Sequence, residues 1–320
     1  MLHIIANTNF FLTAFVMERL QDCDGVRVIA HGHRKRGLRN STSKLIESSL
    51  PWAGVRSLFY PDSFLSALHE IRPQDAVLIF GVENIKELRI LRRHIRAGRQ
   101  TIFTWNPVRD YQQKPWLRLL HIRALKNLGM EVVTFDPLDA QQHGLQLVDQ
   151  VYRDISPWIQ ADVVQDIDLY FVGQDKGRLP VLQQIRESAI QAGLSVHFHV
   201  TPDKHTRYNA EERSLLTNKH LAYPDNLALI NRSRCLVEVV QPNQSGQTIR
   251  SLEAAFFDRK LLTTRLRANE ESLYAPGRVM VGAGQAPELL HRFVRAGHVP
   301  VDREALKRHD MRYWWRQFDS

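Results

Sequence analysis

A basic and an acidic residue lie three positions apart in the segment Cys235–Leu262. Arg250 and Glu253 would share one face of a helix, because residues at i and i+3 are neighbours on a helix surface. Ser245 and Gly246 precede that helix, where unpaired backbone N–H groups can receive a phosphate. A guanidinium and a carboxylate beside such a hollow suit a nucleoside diphosphate, with the carboxylate on the ribose hydroxyls.

The surrounding pattern predicts an open α/β sheet. The apolar run Cys235–Val240 predicts a buried strand before the turn, and a second apolar run begins after Lys260. Ligands of such sheets bind beyond the carboxyl ends of the strands. The turn, including Gln247, is therefore expected at the ligand edge of the sheet.

A second constellation, Val172–Arg178, follows another predicted strand. Gly173 permits a close backbone approach, and Lys176 and Arg178 bring positive charge to the strand end. The spacing matches neither a dinucleotide fingerprint nor a P-loop, so an ordinary turn is the alternative interpretation. Tyr223 opens a later helix, where it either stacks on a base or only accompanies helix initiation at Pro224.

Composition favours anionic partners. The 320 residues carry 43 Lys and Arg against 34 Asp and Glu, a net charge of +9. Such a surface suits nucleic acid, acidic lipid headgroups or phosphorylated substrates. The basic segment His31–Arg39 is either a solvated loop or a phosphate or membrane-surface contact. Two distant cysteines and no apolar run of about 18 residues favour a reduced, cytoplasmic protein.

Alternating strands and helices predict two Rossmann-like domains facing a cleft. The rhythm breaks around residues 152–165, which predicts a hinge. We therefore expect a first domain over residues 1–155, a second over residues 166–300 and a C-terminal helix over residues 301–320 that crosses between them. Predicted strands of the first domain are Leu2–Ala6, Val26–Ala30, Asp75–Gly81, Thr101–Trp105 and Glu131–Phe135.

No metal centre is predicted. Two D-x-D triplets, Asp22–Asp24 and Asp166–Asp168, precede their strands and so lie away from the expected ligand edge. Spacings typical of zinc ligands are absent from the sequence. As catalytic base the first domain offers Asp110 and Asp136, each near a predicted strand end, with a helix cap as the alternative role.

The stretches FVGQDKGR and YPDNLALINRSRCLVEVVQPNQSGQTIRSLEAAFFDRKLLTT resemble the second half of bacterial lipopolysaccharide and capsular-polysaccharide glycosyltransferases. The segments WNPV and VVTFDPLDA are similar to the first half of that group. The resemblance implies a GT-B-type pair of Rossmann domains and a metal-independent transfer from a nucleotide-sugar donor, with no further cofactor. Glu253 takes the place of the ribose-binding carboxylate. The loop lacks the acidic residue ahead of Ser-Gly that many retaining enzymes of this fold carry.

The expected function is transfer of a sugar to a bacterial surface glycan or a lipid-linked acceptor, by a cytoplasmic protein or one peripheral on the inner membrane. Its donor-binding residues would be Gly173, Lys176, Arg178, Tyr223, Ser245, Gly246, Gln247, Arg250 and Glu253. Two alternatives stay open: a non-catalytic scaffold of a polysaccharide assembly complex, and a basic nucleic-acid-binding protein. The second lacks a nucleic-acid-binding motif, so no nucleic acid is expected as partner. A phosphotransferase is a weaker third reading.

Overall fold

The structure is a computed structural model that describes residues 1–31, 60–82, 84–107, 115–241 and 244–319. The chain divides into two compact units. The first unit comprises Met1–Arg153 with Met311–Ser320, and the second unit comprises Asp154–Asp310. Asp110 and the basic segment beyond His31 lie outside the described residues.

The first unit is built on a six-stranded parallel sheet of order β2-β1-β3-β4-β5-β6. Its strands are β1 (Leu2–Asn7), β2 (Val26–His31), β3 (Ala76–Phe80), β4 (Arg99–Thr104), β5 (Glu131–Thr134) and β6 (Gln146–Leu147). Its helices are α1 (Phe11–Met17), α2 (Asp62–His69), α3 (Ile85–His94), α4 (Pro115–Lys126) and α5 (Pro137–His143), with a 3-10 helix at Glu18–Asp22.

The apolar runs of the sequence become the inner strands of this sheet. Every residue of β3 is buried, as expected for a parallel strand covered on both faces. Helix α3 begins at an Asn84 cap, whose side chain accepts from the backbone N–H of Lys86 at 2.9 Å. Leu88 and Leu91 of that helix belong to the same buried core cluster as Ile79.

The second unit contains a five-stranded parallel sheet of order β11-β10-β9-β7-β8. Its strands are β7 (Ile167–Gln174), β8 (Val196–Thr201), β9 (Ser233–Glu238), β10 (Lys260–Thr263) and β11 (Val279–Val281). Its helices are α6 (Leu179–Gln191), α7 (Ala210–Ser214), α8 (Tyr223–Asn231), α9 (Ile249–Phe256), α10 (Pro287–Arg295) and α11 (Arg303–Lys307), with 3-10 turns at Ser156–Trp158 and Ala268–Glu270. Both sheets confirm the predicted α/β class.

The strand register brings several chain turns to one edge of this sheet. Glu238, the last residue of β9, is paired with Thr263, the last residue of β10. Because the strands are parallel, the carboxyl end of β7 at Gln174 lies at the same edge. The turns that precede α6 and α9 therefore leave the sheet on one side, as the sequence predicts.

The C-terminal segment, predicted to be helical over residues 301–320, consists of three short helical elements. The structure has α11 at Arg303–Lys307, α12 at Met311–Trp314 and a 3-10 helix at Trp315–Phe318. The backbone N–H of Met311 donates to the carbonyl of Tyr152 at 2.9 Å rather than to a preceding helical turn. Tertiary pairing thus interrupts the helix, and the segment from Met311 belongs to the first unit.

Trp314 anchors this last segment in the first unit. Its ring centroid lies 4.9 Å from that of Phe103 and 4.9 Å from that of Phe318. The indole N–H donates to the carbonyl of Asp149 at 2.7 Å. The segment therefore closes the core of the first unit rather than extending from it.

Trp314→Ala should lower the free energy of unfolding of the first unit by about 3–5 kcal/mol, because it removes a buried aromatic side chain. Urea denaturation followed by circular dichroism measures the loss. Tyr313→Ala is the control, since Tyr313 is exposed and its loss should change stability by no more than about 0.5 kcal/mol. Equal effects of the two substitutions would contradict an anchoring role for Trp314.

Candidate functional site

A buried carboxylate organises the carboxyl edge of the second sheet. Glu253 is 1% exposed, and its Oε1 accepts from the hydroxyl of Tyr223 at 2.8 Å and from Nδ2 of Asn226 at 3.0 Å. Its Oε2 lies 2.5 Å from Nη1 of Arg250. The carboxylate therefore joins the first turn of α9 to the first turn of α8.

Arg250 is held on its other side by β7. Its Nη2 donates to the carbonyl of Val172 at 3.4 Å, and its guanidinium carbon lies 5.6 Å from the ring centroid of Tyr170. The hydroxyl of Tyr170 donates to Oδ1 of Asn226 at 2.9 Å. Burial raises the pKa of Tyr170, and Glu253 adds to this while Arg250 opposes it. The phenol therefore stays a neutral hydrogen-bond donor.

Arg178 is anchored on the same strand end. Its guanidinium donates to the carbonyls of Gln174 and Asp175, and Nη1 donates to the carbonyl of Val239 at 3.2 Å. Burial lowers the pKa of Arg178, and the positive charge of Arg250 lowers it further, against the opposing charge of Asp175. Arg178 and Arg250 therefore both donate to backbone carbonyls at the end of β7, those of Gln174 and Val172.

The remaining predicted donor residues lie at the end of β7 and in the turn that precedes α9. A Cβ at Gly173 would stand 3.0 Å from Nη2 of Arg178, so glycine leaves room for that guanidinium. Lys176 is exposed in a left-handed turn with φ of 46°, and its backbone N–H donates to Asp203 at 3.1 Å. Gly246 and Gln247 are buried, and Nε2 of Gln247 donates to Glu271 at 2.9 Å.

A second buried carboxylate, Glu238, holds the start of α9. Its Oε1 accepts from the hydroxyls of Thr248 and Ser251, each at 2.6 Å. Its Oε2 accepts from the hydroxyl of Thr263 at 2.5 Å and from Nε of Arg265 at 3.1 Å. Burial raises the pKa of Glu238, but Arg265 and the hydroxyl donors outweigh it, so the pKa lies below its usual range.

Sequence reasoning missed Tyr170, Asn226, Glu238 and Arg265 as parts of this site. Glu238 could have been predicted from the sequence, because a carboxylate inside the apolar run CLVEVV needs hydrogen-bond or ion-pair partners when the strand is buried. Asn226 and Tyr170 carry none, since their meeting depends on how α8 packs on β7.

In the first unit, Asp136 caps α5. Its Oδ1 accepts from the backbone N–H of Leu138 at 2.9 Å and of Asp139 at 3.3 Å, and the side chain is 1% exposed. The alternative role as a helix cap therefore accounts for its position. Proton transfer by Asp136 stays a prediction, as it does for Asp110, which lies outside the described residues.

Within the described ranges, no group of three or more His, Cys, Asp or Glu side chains is placed to hold a metal ion. In the same part of the chain, no helix is both long and apolar enough to cross a membrane. Metal independence and membrane association both stay predictions.

Neither a protein-family model nor a curated protein sequence matches the chain. Solved structures do. The chain has the two-domain GT-B fold.

A trehalose-phosphate synthase (UDP-forming) from Burkholderia xenovorans, solved with glucose-6-phosphate, superposes with a TM-score of 0.59. It is 13% identical, and the match covers 99% of this chain and 98% of that one. A sucrose-phosphate synthase from Thermosynechococcus elongatus gives a TM-score of 0.50 at 10% identity, covering 99% and 96% of the two chains. At these identities the likeness establishes the fold alone.

Glu253→Ala should lower the free energy of unfolding by about 3–5 kcal/mol, because it leaves a largely buried arginine without its carboxylate. Glu253→Gln should cost less, since the amide oxygen can still accept from Tyr223 and Asn226. Chemical denaturation measures both, with Glu187→Ala on the exposed face of α6 as the control. A loss no larger than that of the control would show that the carboxylate does not bind the two helices together.

Glu238 should make stability depend on pH. Its folded-state pKa lies below that of the unfolded chain, so its contribution is complete above about pH 4.3 and is lost as pH falls through the lower, folded-state value. The stability difference between wild type and Glu238→Gln should therefore shrink below about pH 4. Denaturation at a series of pH values tests this, with Glu187→Gln as a control that should leave the slope unchanged.

Proposed function

We propose that the protein is a glycosyltransferase that moves a sugar from a nucleotide-sugar donor to an acceptor glycan. The observation that carries the proposal is the pair of guanidinium groups at the carboxyl end of β7. Arg178 and Arg250 are each fixed by backbone carbonyls, and burial together with the positive charge of Arg250 lowers the pKa of Arg178. A bound diphosphate would relieve that repulsion by bridging the two.

The same pair fits the chemistry of the reaction. An acceptor hydroxyl attacks the anomeric carbon, the bond from that carbon to the diphosphate oxygen breaks, and the nucleoside diphosphate leaves with the bonding electrons. Fixed cations stabilise that developing negative charge because they need no reorganisation as it forms. The arginines would supply this stabilisation without a metal. The hydroxyl proton would pass to a base, for which Asp136 and Asp110 stay the candidates.

The nucleoside would be held by the α8–α9 side of the site. Tyr223 and Glu253 are joined by a hydrogen bond, so one ribose could exchange hydrogen bonds with both. Oε1 of Glu253 already accepts from Tyr223 and Asn226, and Oε2 is paired with Arg250, which makes Glu253 first a positioning residue for Arg250 and Tyr223. Ser245, Gly246 and Gln247 would line the donor, ahead of the first turn of α9.

For the acceptor we infer a bacterial surface glycan or its lipid-linked precursor. The support is the sequence resemblance to polysaccharide-biosynthesis glycosyltransferases and the net charge of +9, which would favour an anionic lipid surface or a phosphorylated acceptor. We propose that the protein acts in the cytoplasm, peripheral to the inner membrane.

Arg178→Ala and Arg250→Ala should each weaken binding of a nucleoside diphosphate by about 10–100-fold. This factor corresponds to the loss of one charge-assisted hydrogen bond, which contributes about 1.5–3 kcal/mol. Isothermal titration with UDP, ADP and GDP measures Kd, and denaturation confirms that each variant is folded. Arg186→Ala, an exposed arginine on α6, is the control of equal charge change.

Two results would count against the proposal. One is that none of the three nucleotides binds wild-type protein. The other is that the control weakens binding as much as the two site variants. Release of nucleoside diphosphate from a nucleotide sugar, with crude lipid-linked acceptor, then separates transfer from binding alone and so tests the scaffold alternative.

A further inference from the structure

The opposite edge of the second sheet carries a polar cavity that the donor site does not use. It has a volume of about 340 Å³, near the lower end of the range of about 300–1,000 Å³ for small-molecule pockets. β7, β9 and β10 all begin at this edge. The cavity is lined by Gln165, Arg234, Asp258, Arg259, Lys260, Val294, Ala296 and His298.

Positive charge exceeds negative charge in this lining. Arg234, Arg259 and Lys260 contribute cations, and Asp258 contributes the one carboxylate among the lining residues. That carboxylate is already engaged, because Oδ1 lies 2.7 Å from Nη1 of Arg278 and Oδ2 lies 2.9 Å from the imidazole of His298. The cavity therefore presents an unbalanced positive field.

Backbone carbonyls hold two of these cations in fixed positions. Nζ of Lys260 is buried and donates to the carbonyls of Phe293 and Ala296, so it holds the end of α10. Nη2 of Arg259 donates to the carbonyl of Asn231 at 3.0 Å, at the end of α8. Burial lowers the pKa of both side chains, which an anion in the cavity would oppose.

Arg234 is the cation least satisfied by its surroundings. Its Nε is buried without a hydrogen bond and lies 3.3 Å from Oδ1 of Asp168. Asp168 is shared with Arg295, whose Nη2 lies 2.8 Å from Oδ2. One carboxylate thus serves two guanidinium groups. An anion with several oxygens would complete the coordination, since guanidinium forks pair with phosphate and carboxylate oxygens two at a time.

We propose that this cavity, the basic pocket, is a second ligand site of the protein and binds the phosphate group of a small phosphomonoester. Arg234 and Arg259 would face the phosphate oxygens. Lys260 would contribute its charge at longer range, because its Nζ is bound to backbone carbonyls. Gln165 at the rim would contact the remainder of the ligand. The site lies at the amino edge of the sheet, so a ligand here and a donor at the carboxyl edge would occupy separate places.

The first test is titration of inorganic phosphate and glycerol 3-phosphate at low ionic strength, where charge interactions are least screened. The wild-type full chain is titrated, and the comparison of the two Gln→Glu variants shows whether the pocket or another part of the surface supplies the signal. Gln165→Glu places a carboxylate in the pocket without removing a cation and should raise Kd about fivefold or more. Gln191→Glu, on the exposed end of α6, adds the same charge elsewhere and should leave Kd unchanged.

Arg234→Gln is a second, independent variant. If this variant folds normally, Arg295 still pairs with Asp168 in it. The expected result is a weakening at least as large as that of Gln165→Glu. Equal binding by the pocket and control variants overturns the proposal, as does absence of binding both to these free phosphates and to vesicles that contain phosphatidic acid. Loss of nucleotide binding in Arg178→Ala and Arg250→Ala bears only on the donor site, so the two proposals fail separately.

The same phosphomonoester group occurs on free metabolites and on phosphatidic acid. Co-sedimentation with phosphatidylcholine vesicles, with and without phosphatidic acid, distinguishes the two sources. Glycerol 3-phosphate binding that Gln165→Glu weakens supports a free ligand, whereas vesicle binding weakened by Gln165→Glu, with no binding of glycerol 3-phosphate, supports a lipid headgroup. If neither glycerol 3-phosphate nor vesicles with phosphatidic acid bind, the proposed site is wrong.

Discussion

The ion pair between Arg250 and Glu253 sets the geometry of the carboxyl edge of the second sheet. Glu253 is nearly inaccessible to water, and a buried carboxylate is tolerated only when charges and donors surround it. Arg250, Tyr223 and Asn226 meet that requirement. In doing so they bind α8, α9 and β7 into one rigid corner. Within that corner Arg178 and Arg250 are both held by carbonyls of β7.

The second buried carboxylate, Glu238, does the same for the other side of α9. Its hydroxyl donors come from the helix and from β10, and Arg265 balances its charge. The first turn of α9 is therefore held by a carboxylate on each side, one from the strand and one from the helix itself. Such preorganisation costs folding energy in desolvation, and it suits the proposed diphosphate site, where fixed positive charge would stabilise the leaving group.

Much of the fold followed from local pattern. Apolar runs such as Asp75–Gly81 predicted buried parallel strands, and the structure confirms them with ends shifted by a residue or two. The predicted C-terminal helix is divided into short elements, because the backbone N–H of Met311 pairs with Tyr152 and not with the preceding helical turn. Periodicity describes one segment at a time, so a contact between residues far apart in the chain lies beyond it.

By itself the sequence determined the alternation of strands and helices, and with it the placing of Ser245, Arg250 and Glu253 beyond the end of a strand. Only the tertiary structure decided that Glu253 is buried and that Tyr223 and Asn226 are its hydrogen-bond donors. Those contacts join α8 to α9 across about 30 residues of chain. They depend on how two helices pack on one sheet, and the spacing of side chains within either helix does not specify that packing.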